Sequence, residues 1–278
     1  MNSMRFAKGH GTGNDFVVLP DPDGALDLTP ELVRALCDRR FGIGGDGVLR
    51  VVRSAKHPEA VHLASEAAWF MDYHNADGSL SEMCGNGLRV FARYLTESGL
   101  VDAAAFPVAT RAGVVTTLVS QDSITVEMPD PVVGPPSRAR DRKSGRDYPG
   151  SSVTVGNPHL VCPVDDVAEL DLSVAPGLDP VLFPEGANVE FVAPAEPLDH
   201  ADLDAHVRVR VYERGVGETL SCGSGACAVA TVTVRDMGLL VGTAAVDLPG
   251  GRLTVVVAVD RCILSGPAVI VATGEVRL

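Results

Sequence analysis

Two short stretches of this chain are built alike, and together they limit what it can fold into. The first is SEMCGNGLRVFARYL, in which Cys84 precedes Gly85-Asn86-Gly87. The second is ETLSCGSGACAVATV, in which Cys222 precedes Gly223-Ser224-Gly225. Leu88, Phe91, Ala92 and Leu95 then fall at the i, i+3, i+4, i+7 spacing of one helical face. Ala226, Val229, Ala230 and Thr233 repeat it in a run that is apolar nearly all round, the pattern of a buried helix. Both cysteines are therefore expected at, or just before, a helix N-terminus. Unpaired N–H groups and the positive end of the helix dipole hold anions there and stabilise a thiolate. Glycine lets a ligand come close to the backbone. One such element is weak evidence. Two in one chain predict a duplicated α+β fold with the active site in the cleft between its halves.

The remaining pattern fits that duplication. RFAKGHGTGNDFVVL reads as a strand, a glycine-rich turn and a second strand at Phe16–Leu19. Thr29-Pro30-Glu31 is a helix start, with an N-cap, a first-position proline and a first-turn acid. Strands are expected at Val48–Val52 and Trp69–Tyr73, the latter leading into Asn75-Ala76-Asp77-Gly78. Further strands are expected at Val114–Val119 and Ser123–Met128. In the second half, strand signals flank Gly156-Asn157-Pro158-His159 and carry Asn188. Val207, Val209 and Val211 alternate with polar residues up to Glu213-Arg214-Gly215. Residues 53–66 show no period and read as a surface excursion. The proline-rich, charged stretch 129–150 reads as a linker between an N-terminal half at 1–128 and a C-terminal half at 151–265. A final strand at 266–278 is able to return to the first half.

Composition narrows the partners. A net charge of −13 and a pI of about 4.9 exclude nucleic acid and anionic membrane as natural partners. No run approaches the roughly 18 apolar residues that span a bilayer, and the N-terminus has no signal-peptide pattern. A cytoplasmic protein is expected, with a small-molecule substrate and a possible homodimer. Six cysteines in a chain of 278 residues do not need disulfides in a reducing compartment, and their spacing fits no zinc site. Cys37, Cys162, Cys227 and Cys262 read as small buried hydrophobes. Only Cys84 and Cys222 have the surroundings of reactive thiols.

A matched pair of thiols suits two-base racemisation, in which one thiolate takes a proton from one face of a carbon and one thiol returns a proton to the other. First-turn N–H groups would hold the substrate carboxylate and the negative charge that builds on it. Nucleophilic catalysis would use one activated thiol, not two. A pyridoxal phosphate enzyme needs a lysine, and this chain has only Lys8, Lys56 and Lys143. Chemistry without cofactor or metal is the expectation.

NADGSLSEMCGNG (Asn75–Gly87) and ERGVGETLSCGSGA (Glu213–Ala226) resemble the two active-site signatures of the diaminopimelate epimerase family. KGHGTGNDF, GNPH and Asn188-Val189-Glu190-Phe191 are similar to its other landmarks, in the same order and over nearly the whole chain. The resemblance implies a cofactor-independent isomerase that interconverts LL- and meso-diaminopimelate in lysine and peptidoglycan precursor synthesis. It also implies two pseudo-symmetric domains, each a small strand barrel around a central helix. By position, Cys84 and Cys222 match the catalytic cysteines. Gly85, Asn86, Gly223 and Ser224 match the carboxylate cradle. Asn14, Asn75, Asn157, Asn188 and Arg214 match substrate-binding positions. Glu213 matches a partner of the substrate ammonium, and Glu213 with His159 resembles the pair that tunes the thiols. The sequence departs at FGIGGDGVL, where Gly47 stands in place of a Gln common in the family and puts one substrate contact in doubt.

Taken singly, most of these residues have plainer readings. Asparagines in turns bond their own backbone, a histidine after Asn-Pro can be a satisfied turn residue, and an arginine at a strand end is usually a solvated charge. His10, His57, His62, His74, His200 and His206 read as surface or packing residues. Two other functions fit the cysteine pair: a proline racemase-like isomerase of the same fold, and a non-catalytic redox protein that joins Cys84 to Cys222.

Overall fold

The computed structural model describes residues 3–198 and 202–277. In chain order the first elements are β1 (Ser3–Gly11), β2 (Asn14–Pro20), α1 (Pro30–Cys37), β3 (Gly47–Arg53), β4 (Trp69–Asn75), α2 (Gly85–Glu97), β5 (Ala105–Thr110), β6 (Gly113–Val119) and β7 (Ile124–Met128). Next come β8 (Val132–Arg140), β9 (Asp147–Val155), β10 (Asn157–Pro163), β11 (Asn188–Pro194), β12 (Ala205–Glu213), β13 (Gly217–Thr219) and α3 (Gly223–Asp236). The last are β14 (Gly242–Leu248), β15 (Gly251–Val257), β16 (Cys262–Gly266) and β17 (Val269–Arg277). By internal packing the chain divides into Met1–Val126 with Gly266–Leu278, and Glu127–Ser265.

In the first unit the strand order is β17-β1-β2-β3-β4-β5-β6-β7. Its pairings run antiparallel, antiparallel, parallel, antiparallel, parallel, antiparallel, antiparallel. In the second the order is β8-β9-β10-β11-β12-β14-β15-β16, and the same succession of directions recurs. The duplication thus extends through these seven pairings, although the first strand of the first unit comes from the chain's last segment and β13, which pairs with β12, has no equivalent strand among the described residues of the first unit. Each unit curls round its helix. α2 packs against β1, β2, β3, β4, β6 and β17; α3 packs against β9, β10, β11, β12, β14 and β15. Leu88, Val90, Phe91 and Leu95 of α2 are fully buried, each stabilising the unit by about 1.5–3 kcal/mol relative to exposure. α3 needs small residues because it is buried nearly all round, and Ala226, Cys227, Ala228, Val229 and Ala230 fill that space.

Two expectations about irregular segments are corrected. Residues 129–150 hold β8 and the start of β9, with Ala139 and Tyr148 buried in the core of the second unit. Among the described residues β8 pairs along its length with β9 alone, so a missing N–H at Pro135 or Pro136 goes unpunished, and the register shifts at that point. Proline content signalled an edge strand here rather than a linker. Residues 53–66 form two short 3-10 turns at Ser54–Lys56 and Val61–Leu63. They cover a small core of Val52, Ala60, Ala67, Phe70 and Ala109, and the His57 ring lies tilted against Phe70 at 4.7 Å between ring centres. This segment closes an apolar cluster and does not merely decorate the surface. Elsewhere α1 starts as read, with Thr29 Oγ1 accepting from the Leu32 N–H. No helix among the described residues is long and apolar enough to cross a membrane.

Candidate active site

In the first unit, β4 ends at Asn75 and the chain turns through 76–83 to Cys84, the N-cap of α2. Cys84 has extended backbone (φ −143°), and its Sγ accepts from the Gly87 N–H at 3.4 Å. Sulfur therefore does what an oxygen of Ser, Thr, Asn or Asp does at most helix starts. The first-turn N–H of Gly85 has no acceptor within the helix. Asn14, opening β2, brings Oδ1 to 3.8 Å from Cys84 Sγ and 3.2 Å from Asn86 Nδ2. Its amide is held from the other end by Asp46, which accepts from Nδ2 at 2.8 Å. Arg89, fully buried, donates to Asn86 Oδ1, Thr12 Oγ1 and the Gly85 carbonyl. Thr12 takes positive φ (50°), which lets the β1–β2 turn present its hydroxyl there. Because Arg89 only donates, the Asn86 amide has one orientation, and Cys84 meets the oxygen end of Asn14.

Asn75 bonds within its own turn, from Nδ2 to Ser79 Oγ at 3.0 Å, and pairs across the sheet with Gly47. A Cβ at Gly47 would lie 2.6 Å from the His74 carbonyl oxygen and 2.7 Å from Tyr73 Cε2. No side chain fits at Gly47 without moving β3 from β4, so the family's glutamine contact has no counterpart on this backbone.

In the second unit, β12 ends at Glu213 and the chain turns through Arg214 and Gly215 (φ 77°), where only glycine is at ease. Cys222 is the N-cap of α3 (φ −129°), and its Sγ accepts from the Gly225 N–H at 3.4 Å. Asn188 Nδ2 approaches the sulfur at 3.7 Å and Ser224 Oγ at 3.5 Å. The Arg214 N–H donates to Asn188 Oδ1 at 2.9 Å, so Cys222 meets the nitrogen end of its asparagine, the reverse of Cys84. Glu213 accepts from the Thr219 hydroxyl. The Arg214 guanidinium lies 3.7 Å from exposed Glu185, a contact worth little in water. Burial pushes the Cys222 thiol well above its usual pKa, with the Glu213 and Glu190 carboxylates adding to the rise and the Ser224 and Gly225 hydrogen bonds opposing it. His159 is fully buried, with Nδ1 2.7 Å from Glu190 Oε1 and Nε2 3.1 Å from Asn157 Oδ1.

Residues matched by the sequence thus gather into two sets. Asn14, Gly85 and Asn86 surround Cys84, while Asn188, Gly223 and Ser224 surround Cys222, and Glu213 and Arg214 reach that set through the turn. His159 and Asn157 join it through Glu190. Asn75 shows its turn contacts and its pairing with Gly47. Sequence reading passed over Arg89, Asp46 and Glu190. Glu190 carried a signal, as the lone acid in the apolar run Asn188–Ala193; Arg89 reads as one more helix arginine. Among the other histidines, His10 accepts from the Gly13 N–H, His74 and His57 face Asp72, and His206 pairs with Asp247. His200 lies outside the described residues. Two surface grooves of about 530 and 370 Å³ open on the second unit. Arg214 lines the smaller, but Cys222 lines neither. Hydrogen bonding at the helix start, not cavity size, marks the site.

The diaminopimelate epimerase family profile matches residues 6–133 and 151–278. A diaminopimelate epimerase of Streptomyces coelicolor is 51% identical over 98% of this chain and 95% of its own. That of Thermobifida fusca is 53% identical over 99% and 98%. Among solved structures, a PhzF-family phenazine biosynthesis protein of Bacillus anthracis superposes with a TM-score of 0.75 at 17% identity, covering all of both chains. A hydroxyproline epimerase of Agrobacterium vitis does so at 0.65 and 16%, covering 99% of this chain and 93% of its own. These distant likenesses speak for the fold alone. The full-length matches, with a cysteine capping the helix of each repeat, make the chain a member of the diaminopimelate epimerase family.

Proposed function

We propose that this protein interconverts LL- and meso-diaminopimelate by two-base proton transfer at the α-carbon, with Cys84 and Cys222 as the bases and no added cofactor. The observation that carries this reading is the repeated one: each unit sets a cysteine sulfur at a helix N-cap, beside N–H groups that can hold a carboxylate. One thiolate removes the α-proton, leaving a carbanion whose charge spreads into the carboxylate. The other thiol then gives its proton to the opposite face, so one sulfur ends protonated and the other ionised. The N–H groups of Gly85, Asn86, Gly223 and Ser224 stabilise the enolate-like charge, which is larger in the transition state than in the substrate. Asn14, Asn75, Asn157, Asn188 and Arg214 bind the substrate, and Glu213 pairs with its ammonium. The lysine count supports a pyridoxal-independent route, since Lys8 is engaged by Asp15 and the Gly44 carbonyl, and Lys143 by Asp171 and Ser173. The same reading puts the enzyme in the cytoplasm, in lysine and peptidoglycan precursor synthesis.

The test is turnover of LL-diaminopimelate in deuterium oxide by the reduced protein. Meso product is expected to carry solvent deuterium at the inverted centre, at a rate unchanged by chelator or added pyridoxal phosphate. Product without deuterium, or strict dependence on pyridoxal phosphate, sinks the mechanism. Turnover of proline or hydroxyproline in place of diaminopimelate would support the racemase alternative instead.

A further inference from the structure

Each sulfur meets one asparagine, yet the two asparagines are not counterparts. Gly13-Asn14-Asp15-Phe16 corresponds to Gly156-Asn157-Pro158-His159, and each stretch opens a strand after a glycine at positive φ, 84° and 75°. Phe16 pairs with Gly47 as His159 pairs with Asn188. Asn14 therefore stands where Asn157 does, and Gly47 where Asn188 does. The second unit reaches its sulfur from β11. The first has no side chain at Gly47 and reaches its sulfur from β2 instead. What turns the Asn14 amide is Asp46, whose counterpart beside Asn188 is Ala187. Asp46 Oδ2 accepts from Asn14 Nδ2 at 2.8 Å and from the Asp15 N–H at 3.1 Å, while its own N–H donates to the Asp15 carbonyl at 2.7 Å. Arg39 joins the two acids, 2.7 Å from Asp46 Oδ1 and 2.7 and 3.0 Å from the Asp15 oxygens. Lys8 lies 2.5 Å from Asp15 and also donates to the Gly44 carbonyl. Burial alone would raise the Asp15 carboxyl, but Arg39 and Lys8 outweigh it and hold the group well below the usual carboxylate range. The second unit has Pro158 and Ala187 where these acids stand, so this charged clamp belongs to the first unit.

We infer that Asp46 is a positioning residue for Cys84: it locks the Asn14 amide with its oxygen, and not its NH2, toward the sulfur. The catalytic meaning of this lock rests on the two-thiol reading above. An amide can turn end for end, but here the turned form fails at both ends. Its oxygen would meet the Asp46 carboxylate, which has only lone pairs to offer, and its NH2 would meet the Asn86 NH2, which Arg89 fixes in place. Partly exposed ion pairs such as Arg39–Asp46 add little stability. What they set here is direction. A thiol at Cys84 donates its S–H to Asn14 Oδ1, 3.8 Å away, whereas a thiolate there would face a lone pair. The Gly87 N–H works the other way, since it donates to the sulfur and favours the thiolate. Asp46 thus keeps Cys84 less ionised than its place at a helix start would make it, ready to give a proton rather than to hold a charge. Without Asp46 one of the two obstacles is gone, and the amide can turn its NH2 to the sulfur, as Asn188 does at Cys222.

The experiment is timed alkylation of the reduced protein with iodoacetamide at one pH, with peptide mass spectrometry to follow each cysteine. In Asp46→Ala, Cys84 is expected to react about three- to tenfold faster than in the parent, the reach of one hydrogen bond, with Cys222 changed by less than about twofold. Asp46→Asn still offers an oxygen to Asn14 Nδ2 and leaves Arg39 to Asp15, so Cys84 should return to near the parental rate. An unchanged Cys84 rate in Asp46→Ala overturns the inference. So does an Asp46→Asn variant as reactive as Asp46→Ala, which would make charge and not amide direction the cause. A rise shared by buried Cys37 of α1 overturns it as well, since that marks a loosened fold. Alkylation needs no turnover: a parent inactive on diaminopimelate removes the two-thiol reading, while the Cys84 rates decide the role of Asp46 by themselves.

Discussion

Replacing either Cys84 or Cys222 with Ala is expected to lower epimerisation in both directions by about three orders of magnitude or more, because a positioned acid or base contributes roughly 10²–10⁴ and the proposed mechanism uses both sulfurs in each direction. Reversing the reaction exchanges the two roles, so neither variant should retain one direction. The sites are matched but not equivalent. Cys84 faces the oxygen of Asn14, and Cys222 the nitrogen of Asn188. Serine at either position should keep a small residue of activity, since a hydroxyl still donates but is a weak base. The losses should not add in the double variant, because the two thiols act as one unit. Alanine at Cys37, Cys162 or Cys262 should alter stability rather than rate. Burial pushes the Cys37 thiol up to about 11 and that of Cys162 to about 12, and neither sits at a helix N-cap as Cys84 and Cys222 do. The measurement is kcat at equal folded concentration, checked by circular dichroism. A well-folded alanine variant with near-parental turnover refutes the two-thiol mechanism.

The second large effect is expected at Asp72, away from either cysteine. Its side chain is almost wholly buried in β4. His74 Nε2 lies 2.9 Å from its carboxylate and an Arg111 nitrogen 2.5 Å, with Arg50 at 3.4 Å and His57 at 3.6 Å. Burial alone would raise this carboxyl's pKa, but His74 and Arg111 outweigh it and hold the group well below the usual carboxylate range. Asp72→Ala leaves buried guanidinium groups short of their counter-charge, which costs about 3–5 kcal/mol. Asp21 and Glu59 partly compensate, through Arg50 and Arg111 respectively. The effect should reach the site as well, because Arg111 also bonds the Tyr73 and Ser81 carbonyls along the approach to Cys84. The sign of the pH dependence follows from the depressed pKa. The contribution is fully present above the unfolded value of about 3.9 and is lost as pH falls from there through the folded value. Asp72→Asn should therefore flatten the acid limb of stability against pH. Urea unfolding is the check, and a variant within about 1 kcal/mol of the parent would show that the network is worth little.

How much was legible beforehand depends on where the physics acts. The helices at 85–97 and 223–236 could be read because amphipathic spacing, glycine placement and helix propensity are local. The strands around Val48, Trp69 and Val207 could be read from β-branched runs for the same reason. Strand β8 could not, because whether Pro135 is tolerated depends on which side of the strand lacks a partner, and neighbours are not encoded nearby. Likewise the contact of His57 with Phe70 depends on β3 and β4 carrying the two ends of a loop to one place.

The duplication itself and the placement of Cys84 and Cys222 at helix starts follow from the sequence alone, since Cys-Gly-x-Gly before a helical period leaves the chain few alternatives. Family membership is written there too, in motifs that span both halves. What tertiary structure alone decided is how unlike the two copies are. The amide end presented to each sulfur depends on Arg89, Asp46 and the Arg214 N–H, groups distant from the cysteines in sequence or silent in it. The acid beneath α3 became visible only when parallel pairing of β10 with β11 set Glu190 beside His159. Hydrogen-bond direction and buried charge are relations between residues that folding brings together. A sequence names the donors and acceptors, but only the packed chain determines which of them meet.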